Sequence, residues 1–496
     1  MNNINLDYEI VIIGAGISGI GAGIKLKEKN MHSFVILEKE SELGGTWRDN
    51  RYPGVAVDIP SSSYSFSFEL NPKWSKVFAP GEEIQQYVHH CAEKYRIKQH
   101  IQYNADINRI VFNESNSTWT IHFKNGSQLI SRFVISATGV LNQPVTPDIK
   151  GISHFKGEMF HTARWDNDVE LTNKRVAIIG TGASSVQVVP SIAPKVKNLQ
   201  VYQRTPIWVS PKRDSKISQK YKTKFEQYPL YQRYFRFRSD LFMEIATFAA
   251  VNNRTLPWMT KTAEQSCRYF VKKQVKDPEL RKKLTPNYGF GCKRPAVSNE
   301  YLKTFNRNNV DLVTDGISEI TEKGLKTADG VEHELDVIIL ATGFKTLELG
   351  NAPSFEVIGL EGTELGQFWH DNRYQAYYGV SVPKFPNYFL TYGPYTGGLN
   401  WFSMLEANLK FIIRSLNKAK RKNKTYIEVK QAAHDKYFNY VLKRSRGTVF
   451  KNKACVEANS YYLDHHGDAS SPAPFTPAMR WFKVRLTRLD AYQFRS

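Results

Sequence analysis

An α/β fold of two Rossmann-like dinucleotide-binding domains, one inserted in the other and carrying a helical insertion, is predicted by three features of the sequence. A β-branched run leads into Gly14-x-Gly16-x-x-Gly19. A second such run leads into Gly180-x-Gly182-x-x-Ser185. Two related stretches, ISATG ending at Gly139 and ILATG ending at Gly343, lie on either side of the second unit.

The first unit opens YEIVIIGAGISGIGAGIKLKEKN. Ile10 to Ile13 reads as a buried parallel strand, and the residues after Gly16 read as a helix. The next strand, SFVILEKE, ends on Glu38. Gly14 permits the tight turn and Gly16 lets backbone approach a pyrophosphate at a helix N-terminus. Gly19 lets helix and strand pack closely. Glu38 accepts from ribose hydroxyls.

The second unit repeats the plan from Val176 to Ile179, with Ser185 in place of the third glycine. Arg204 follows Ser185 at the spacing at which Glu38 follows Gly19. A carboxylate at this corner selects a free ribose, whereas an arginine accommodates a 2′-phosphate. The pair of corners therefore predicts FAD or NAD in the first site and NADP in the second, with Thr205 as a further phosphate donor.

From Pro211 to about Pro286 the chain turns basic and aromatic and reads as helices divided at Pro229 and Pro257. This is the helical insertion, about 212–286. Its aromatics read as core or as the lining of a substrate route. Trp401 and Phe402, and likewise Trp481 and Phe482, read as core. The domains expected are 1–145, the first part of the FAD-binding domain; 146–345, the NADP-binding domain with its insertion; and 346–496, the C-terminal part of the FAD-binding domain. The two ATG turns mark the crossings between them.

At 496 residues the chain has room for two or three domains. Its four cysteines form no CxxC pair, which argues against a zinc module, a dithiol centre or a disulfide scaffold and predicts a cytoplasmic protein. The N-terminus has no basic n-region, and no apolar run reaches the roughly 18 residues of a spanning helix. A formal net charge of +21 gives a field that attracts anions, phosphorylated cofactors among them. Weak contact with an anionic membrane surface is the sharper reading of that charge. No nucleic-acid module is present, and oligomeric state is not readable.

FKGEMFHTARWD, Phe155 to Asp166, lies between the two turns. With both nucleotide units and both ATG turns, it makes the chain resemble the type I Baeyer–Villiger monooxygenases, class B flavoprotein monooxygenases whose fingerprint is FxGxxxHxxxW followed by Pro or Asp. Phe155, Gly157, His161, Trp165 and Asp166 complete that pattern. The resemblance runs from the first strand to beyond TYGPYTGGLN and weakens in the insertion and after about Asp468. It implies that Gly44, Gly45, Thr46 and Trp47 lie along FAD and that Asp58 is the active-site aspartate. GFGCKRP carries the implied active-site Arg294, and Lys293 is implied to contact the 2′-phosphate of NADPH with Arg204 and Thr205. VAVD stands where many members have Cys-Asp.

The resemblance further implies that NADPH reduces FAD and that one oxygen atom of O2 is inserted next to the carbonyl of a small hydrophobic ketone, through a C4a-peroxyflavin, to give an ester or lactone. Sulfides are implied as further substrates. Arg294, always charged, suits the stabilisation of developing oxyanions, with Asp58 fixing its position. His161 reads as a residue orienting the linker rather than as a base. An N- or S-oxygenating flavin-containing monooxygenase is the alternative, disfavoured by Trp165-Asp166 with Arg294. A disulfide reductase of the same plan is disfavoured by the missing CxxC, and a non-enzymatic nucleotide-binding protein by the intact Asp58 and Arg294.

Overall fold

A computed structural model describes residues 5–451, 455, 458 and 460–496. Two sheets organise it. In the larger, Tyr8–Ile13 runs parallel to Phe34–Leu37 on one side and to Gln128–Ser136 on the other, with Ile12 in register with Ile36 and Ile135. The β-branched run of this central strand suits a position covered on both faces. The sheet extends through the antiparallel strands Thr118–Phe123 and Ile107–Asn113. Two strands from much later in the chain then join it: Glu356–Ile358 pairs with Ile107–Asn113, and Tyr388–Leu390 with Gln128–Ser136.

The second sheet has five strands, all parallel, in the spatial order Val310–Val313, Asn198–Tyr202, Arg175–Ile179, Val337–Leu340, Glu158–His161. Helices Ile17–Lys27 and Ala183–Ile192 follow the first strand of their respective units. The stretch EMFH, expected in a linker, is instead the edge strand of this sheet, in register with Val337–Leu340. Its backbone donors find partners there that a free linker would not supply.

Pro229 and Pro257 each open a helix, Pro229–Val251 and Pro257–Gln274, where the missing N–H costs nothing. The longer helix is keyed to the first domain. The buried Arg236 donates from Nη1 to the carbonyl oxygens of Ser62 and Ser65, at 3.1 and 2.8 Å. Asn400 Nδ2 donates to Asp240 Oδ1 at 2.8 Å.

Two further expectations are corrected. Cys292 and Cys455, 163 residues apart, form a disulfide. No local spacing announces it, because the fold alone brings the two buried thiols together, and it removes one ground for a cytoplasmic location. Trp481 and Phe482 are not core but exposed, as are Tyr234, Phe237, Phe242 and Phe248 of the insertion. Phe402 is buried, as expected.

Candidate active site

The two glycine turns are built alike. Gly14 and Gly180 have φ of +105° and +113°, a region L side chains avoid. A Cβ on Gly14 would stand 2.7 Å from the carbonyl oxygen of Ala137, and one on Gly180 would stand 2.5 Å from that of Ala341. Each ATG stretch thus places its alanine carbonyl against the first glycine of one nucleotide turn, which is why the two motifs occur as pairs. A Cβ on Gly19 would meet Gly14 O at 1.8 Å, whereas the Ser185 side chain is accommodated and fully buried.

Gly16 and Gly182 cap their helices without any side-chain acceptor, so first-turn N–H groups stay available to an anion. Gly45 opens the short helix Thr46–Asp49 and lies so close that a Cβ on it would stand 3.2 Å from Gly16 Cα. A side chain on Gly45 would crowd the backbone of the first glycine turn.

The corner residues differ sharply. Glu38 is buried; its Oε2 accepts from Ala15 N at 2.8 Å, and its Oε1 accepts from Glu40 N and Arg48 Nη1, both at 3.1 Å. Arg204 is exposed and has no acidic partner among the described residues. Its neighbour in space is Lys293, whose pKa falls to about 8, through burial first and then through repulsion by Arg204. Two adjacent cations with no carboxylate between them fit a dianionic phosphate. Thr205 lies at the same wall, its carbonyl accepting from Thr181 Oγ1 at 2.8 Å.

A single cavity of about 2360 Å³ runs past both turns. Gly14, Gly16, Glu38, Gly45, Thr46 and Trp47 line one part of it, and Gly180, Gly182, Arg204, Thr205 and Lys293 another. On its wall Arg294 meets Asp58: Nε donates to Oδ2 and Nη2 to Oδ1, each at 2.8 Å. This two-point contact between residues 236 apart holds the guanidinium plane. The Asp58 carboxylate raises the arginine's already high pKa. Three of the five guanidinium N–H groups have no protein partner among the described residues.

Aromatic side chains surround the pair. Trp47 Nε1 donates to Tyr64 Oη at 3.1 Å. Tyr392, its pKa pushed by burial to about 12, stays neutral beside Arg294 and packs against Trp401 with ring centroids 4.8 Å apart. Beside the Arg294 guanidinium the cavity wall therefore offers aromatic surface.

None of Phe155, Gly157, His161, Trp165 and Asp166 lines the cavity. Trp165 packs edge-on to Phe160 at 5.1 Å. A Cβ on Gly157 would stand 2.5 Å from Asp336 O and 2.6 Å from the Phe155 ring. Asp166 Oδ1 accepts from Asp168 N at 2.9 Å. His161 is buried, accepts at Nδ1 from Ala163 N at 3.0 Å, and stacks edge-on to Phe344 just beyond the second ATG turn. Burial lowers its pKa, so the ring is neutral. The fingerprint therefore packs within the second sheet and against the second ATG turn, and lies off the cavity.

Three groups escaped the sequence reading. Arg48 completes the Glu38 corner and also pairs with Asp49 at 2.8 Å. Gln187, on helix Ala183–Ile192, accepts from Tyr52 Oη at 3.0 Å and donates to Ala56 O at 2.9 Å, joining the second nucleotide unit to the segment before Asp58. Tyr64 holds Trp47. For Arg48 a signal existed, since a basic residue beside GGTW stands close in sequence to the acid it neutralises. Gln187 carried none.

A family model described as pyridine nucleotide-disulphide oxidoreductase matches residues 11–266. A Baeyer-Villiger monooxygenase of Pseudomonas aeruginosa is 36% identical over 487 residues, covering 97% of this chain and 89% of that protein. One from Streptomyces coelicolor is 36% identical over 489 residues, covering 98% of this chain and 92% of that protein. Among solved structures, OTEMO in complex with FAD and NADP superposes with a TM-score of 0.87 at 28% identity, covering 99% of this chain and all (100%) of that one. The closed form of cyclohexanone monooxygenase superposes with a TM-score of 0.87 at 25% identity, with the same coverage.

Proposed function

The chain belongs to the Baeyer–Villiger monooxygenase family, and on that premise we propose that Arg294, held by Asp58, stabilises the oxyanion that develops when a ketone carbonyl is attacked in the cavity. The protein is an NADPH-dependent flavoprotein monooxygenase. FAD, when bound, supplies the acceptance of hydride and the activation of O2. Overall, NADPH and a proton furnish two electrons and two hydrogens, one oxygen atom of O2 enters the ester or lactone, and the other leaves as water.

The residues present fit both cofactors. The gap between Gly16 and Gly45, which a side chain would fill, suits a pyrophosphate, and Glu38 retains acceptor capacity for ribose hydroxyls. Thr46 and Trp47 continue this wall. At the other end Gly180, Gly182 and Ser185 form the nicotinamide dinucleotide turn, and Arg204, Thr205 and Lys293 take the 2′-phosphate. The partition of strands between the two sheets supports 1–145 with 346–496 as the FAD-binding domain and 146–345 as the NADP-binding domain.

The observation that carries the assignment is the Arg294–Asp58 pair on the wall of a cavity shared with both glycine turns. As the carbonyl carbon is attacked, its oxygen gains negative charge. The free N–H groups of Arg294 meet that charge in a site walled by neutral aromatics, where a fixed cation acts more strongly than in water. Asp58 fixes the guanidinium without neutralising all of its donors. Sulfides need no oxyanion stabiliser and are the second substrate class.

Arg294→Ala leaves flavin reduction by NADPH intact and lowers ketone oxygenation by on the order of 100- to 1000-fold. Stopped-flow reduction of the flavin and chromatographic quantitation of ester separate the two steps. Wild-type ester formation by the variant overturns the assignment.

A further inference from the structure

The insertion helix Pro229–Val251 carries a face that nothing among the described residues covers. Leu230, Tyr234, Phe237, Leu241, Ile245 and Phe248 recur at steps of three and four and so share one stripe. Each is between 40% and 77% exposed. From Leu230 to Phe248 the stripe runs roughly 27 Å. Beside it lies the C-terminal helix Pro477–Leu486, whose Ala478 N donates to Glu244 Oε2 at 3.1 Å. This second helix exposes Trp481, Phe482 and Leu486. Clustered exposed apolar side chains of this kind mark an interaction surface.

Three observations identify the partner. The first is charge. Arg233 and Arg238 flank the stripe, and Arg485 and Arg488 flank the second helix, all exposed, within a chain of formal net charge +21. A second copy would bring like charge to the same face, whereas an anionic lipid surface complements it. The second is composition. Trp481 is stacked under the Arg485 guanidinium at 4.8 Å, and Trp258, at the start of the next helix, is exposed. Amphipathic aromatics beside cations suit the boundary between headgroups and acyl chains. The third is continuity. Phe242 and Ile245 are exposed on this helix and also line the cavity that reaches Arg294.

We propose that this face seats the enzyme on an anionic lipid surface and that lipophilic substrate enters the Arg294 cavity from the bilayer past Phe242 and Ile245. The substrate half rests on the ketone oxygenation proposed above; the surface half does not. Helix Pro229–Val251 lies in the interface plane with its apolar stripe toward the acyl chains. The basic flanks meet phosphate headgroups, and substrate that partitions into lipid need not cross water.

The test uses the holoenzyme and flotation with vesicles of phosphatidylcholine and phosphatidylglycerol in equal parts, against vesicles of phosphatidylcholine alone. The wild type floats with the anionic vesicles, and high salt weakens the binding. Phe237→Glu combined with Leu241→Glu, neither residue lining the cavity, lowers the partition coefficient by on the order of 100-fold. Its rate with a small water-soluble ketone is unchanged, while its rate with a long-chain ketone dissolved in vesicles falls. Leu486→Glu, on the other helix, repeats the effect at about tenfold and guards against a folding defect in the first variant. No flotation of the wild type, equal flotation of the variants, or a dimer in sedimentation equilibrium that Phe237→Glu with Leu241→Glu dissociates would overturn the lipid assignment. Flotation without ketone oxygenation upholds the surface and sinks the reaction; oxygenation without flotation does the reverse.

Discussion

The corners after the two glycine turns occupy the same place in the same supersecondary plan, yet they are finished in opposite ways. Glu38 is buried and already engaged by two backbone N–H groups and by Arg48. Arg204 stands exposed beside a second cation, Lys293, with no acid among the described residues to balance either. The carboxylate of the first corner is balanced by the chain's own donors, as suits a cofactor that stays. The second holds unbalanced positive charge that only an arriving anion relieves, as suits a cofactor that comes and goes. The same backbone device thus carries two corners of opposite charge, one balanced within the chain and one not balanced among the described residues.

That contrast can be broken most forcefully at Glu38. Glu38→Ala strips Arg48 of one buried partner and leaves Ala15 N–H without its acceptor, a loss of about 3 kcal/mol in folding stability. Thermal unfolding and flavin absorbance per chain report it, and the purified variant is expected to be largely colourless. A yellow variant of wild-type stability would show that the contacts of Glu38 do not support the fold or the flavin site.

Next in size is Arg204→Ala. It removes a charge-assisted contact and raises KM for NADPH roughly tenfold or more, while KM for NADH changes little. Equal losses with both nucleotides would remove the 2′-phosphate reading.

The smallest effect sharpens the comparison through pH. Lys293 is protonated below about pH 8 in the free enzyme and loses its charge above it. NADPH affinity therefore declines as pH rises through 8. A bound phosphate restores the proton, so binding takes up as much as about one proton between pH 8 and the ordinary lysine value of 10.5. Calorimetry in buffers of different ionisation enthalpy measures this uptake. Lys293→Arg, charged throughout, abolishes it.

How much of this was legible beforehand varies by residue. Gly14, Gly16, Gly180 and Gly182 were readable because a strand, a turn at positive φ and a helix N-terminus are decided within a dozen residues. The pairing of each glycine turn with an ATG stretch was visible as a pattern. Its cause, the alanine carbonyl lying where a Cβ would stand, was not. Asp58 and Arg294 were reached by resemblance, and nothing local in either segment points to the other.

By itself, the sequence determined the two dinucleotide units, the acid at one corner and the arginine at the other, because these depend on short-range backbone geometry and on charge at one fixed register. Tertiary structure alone decided that Arg294 meets Asp58, that Cys292 meets Cys455, and that Lys293 lies beside Arg204. It also decided which apolar stripe stays uncovered. The periodicity of Leu230, Phe237 and Leu241 marks a helix face, but Trp481 and Phe482 show the same apolar chemistry as the buried Phe402. Burial depends on what packs against a face, and that is set by chain segments hundreds of residues away.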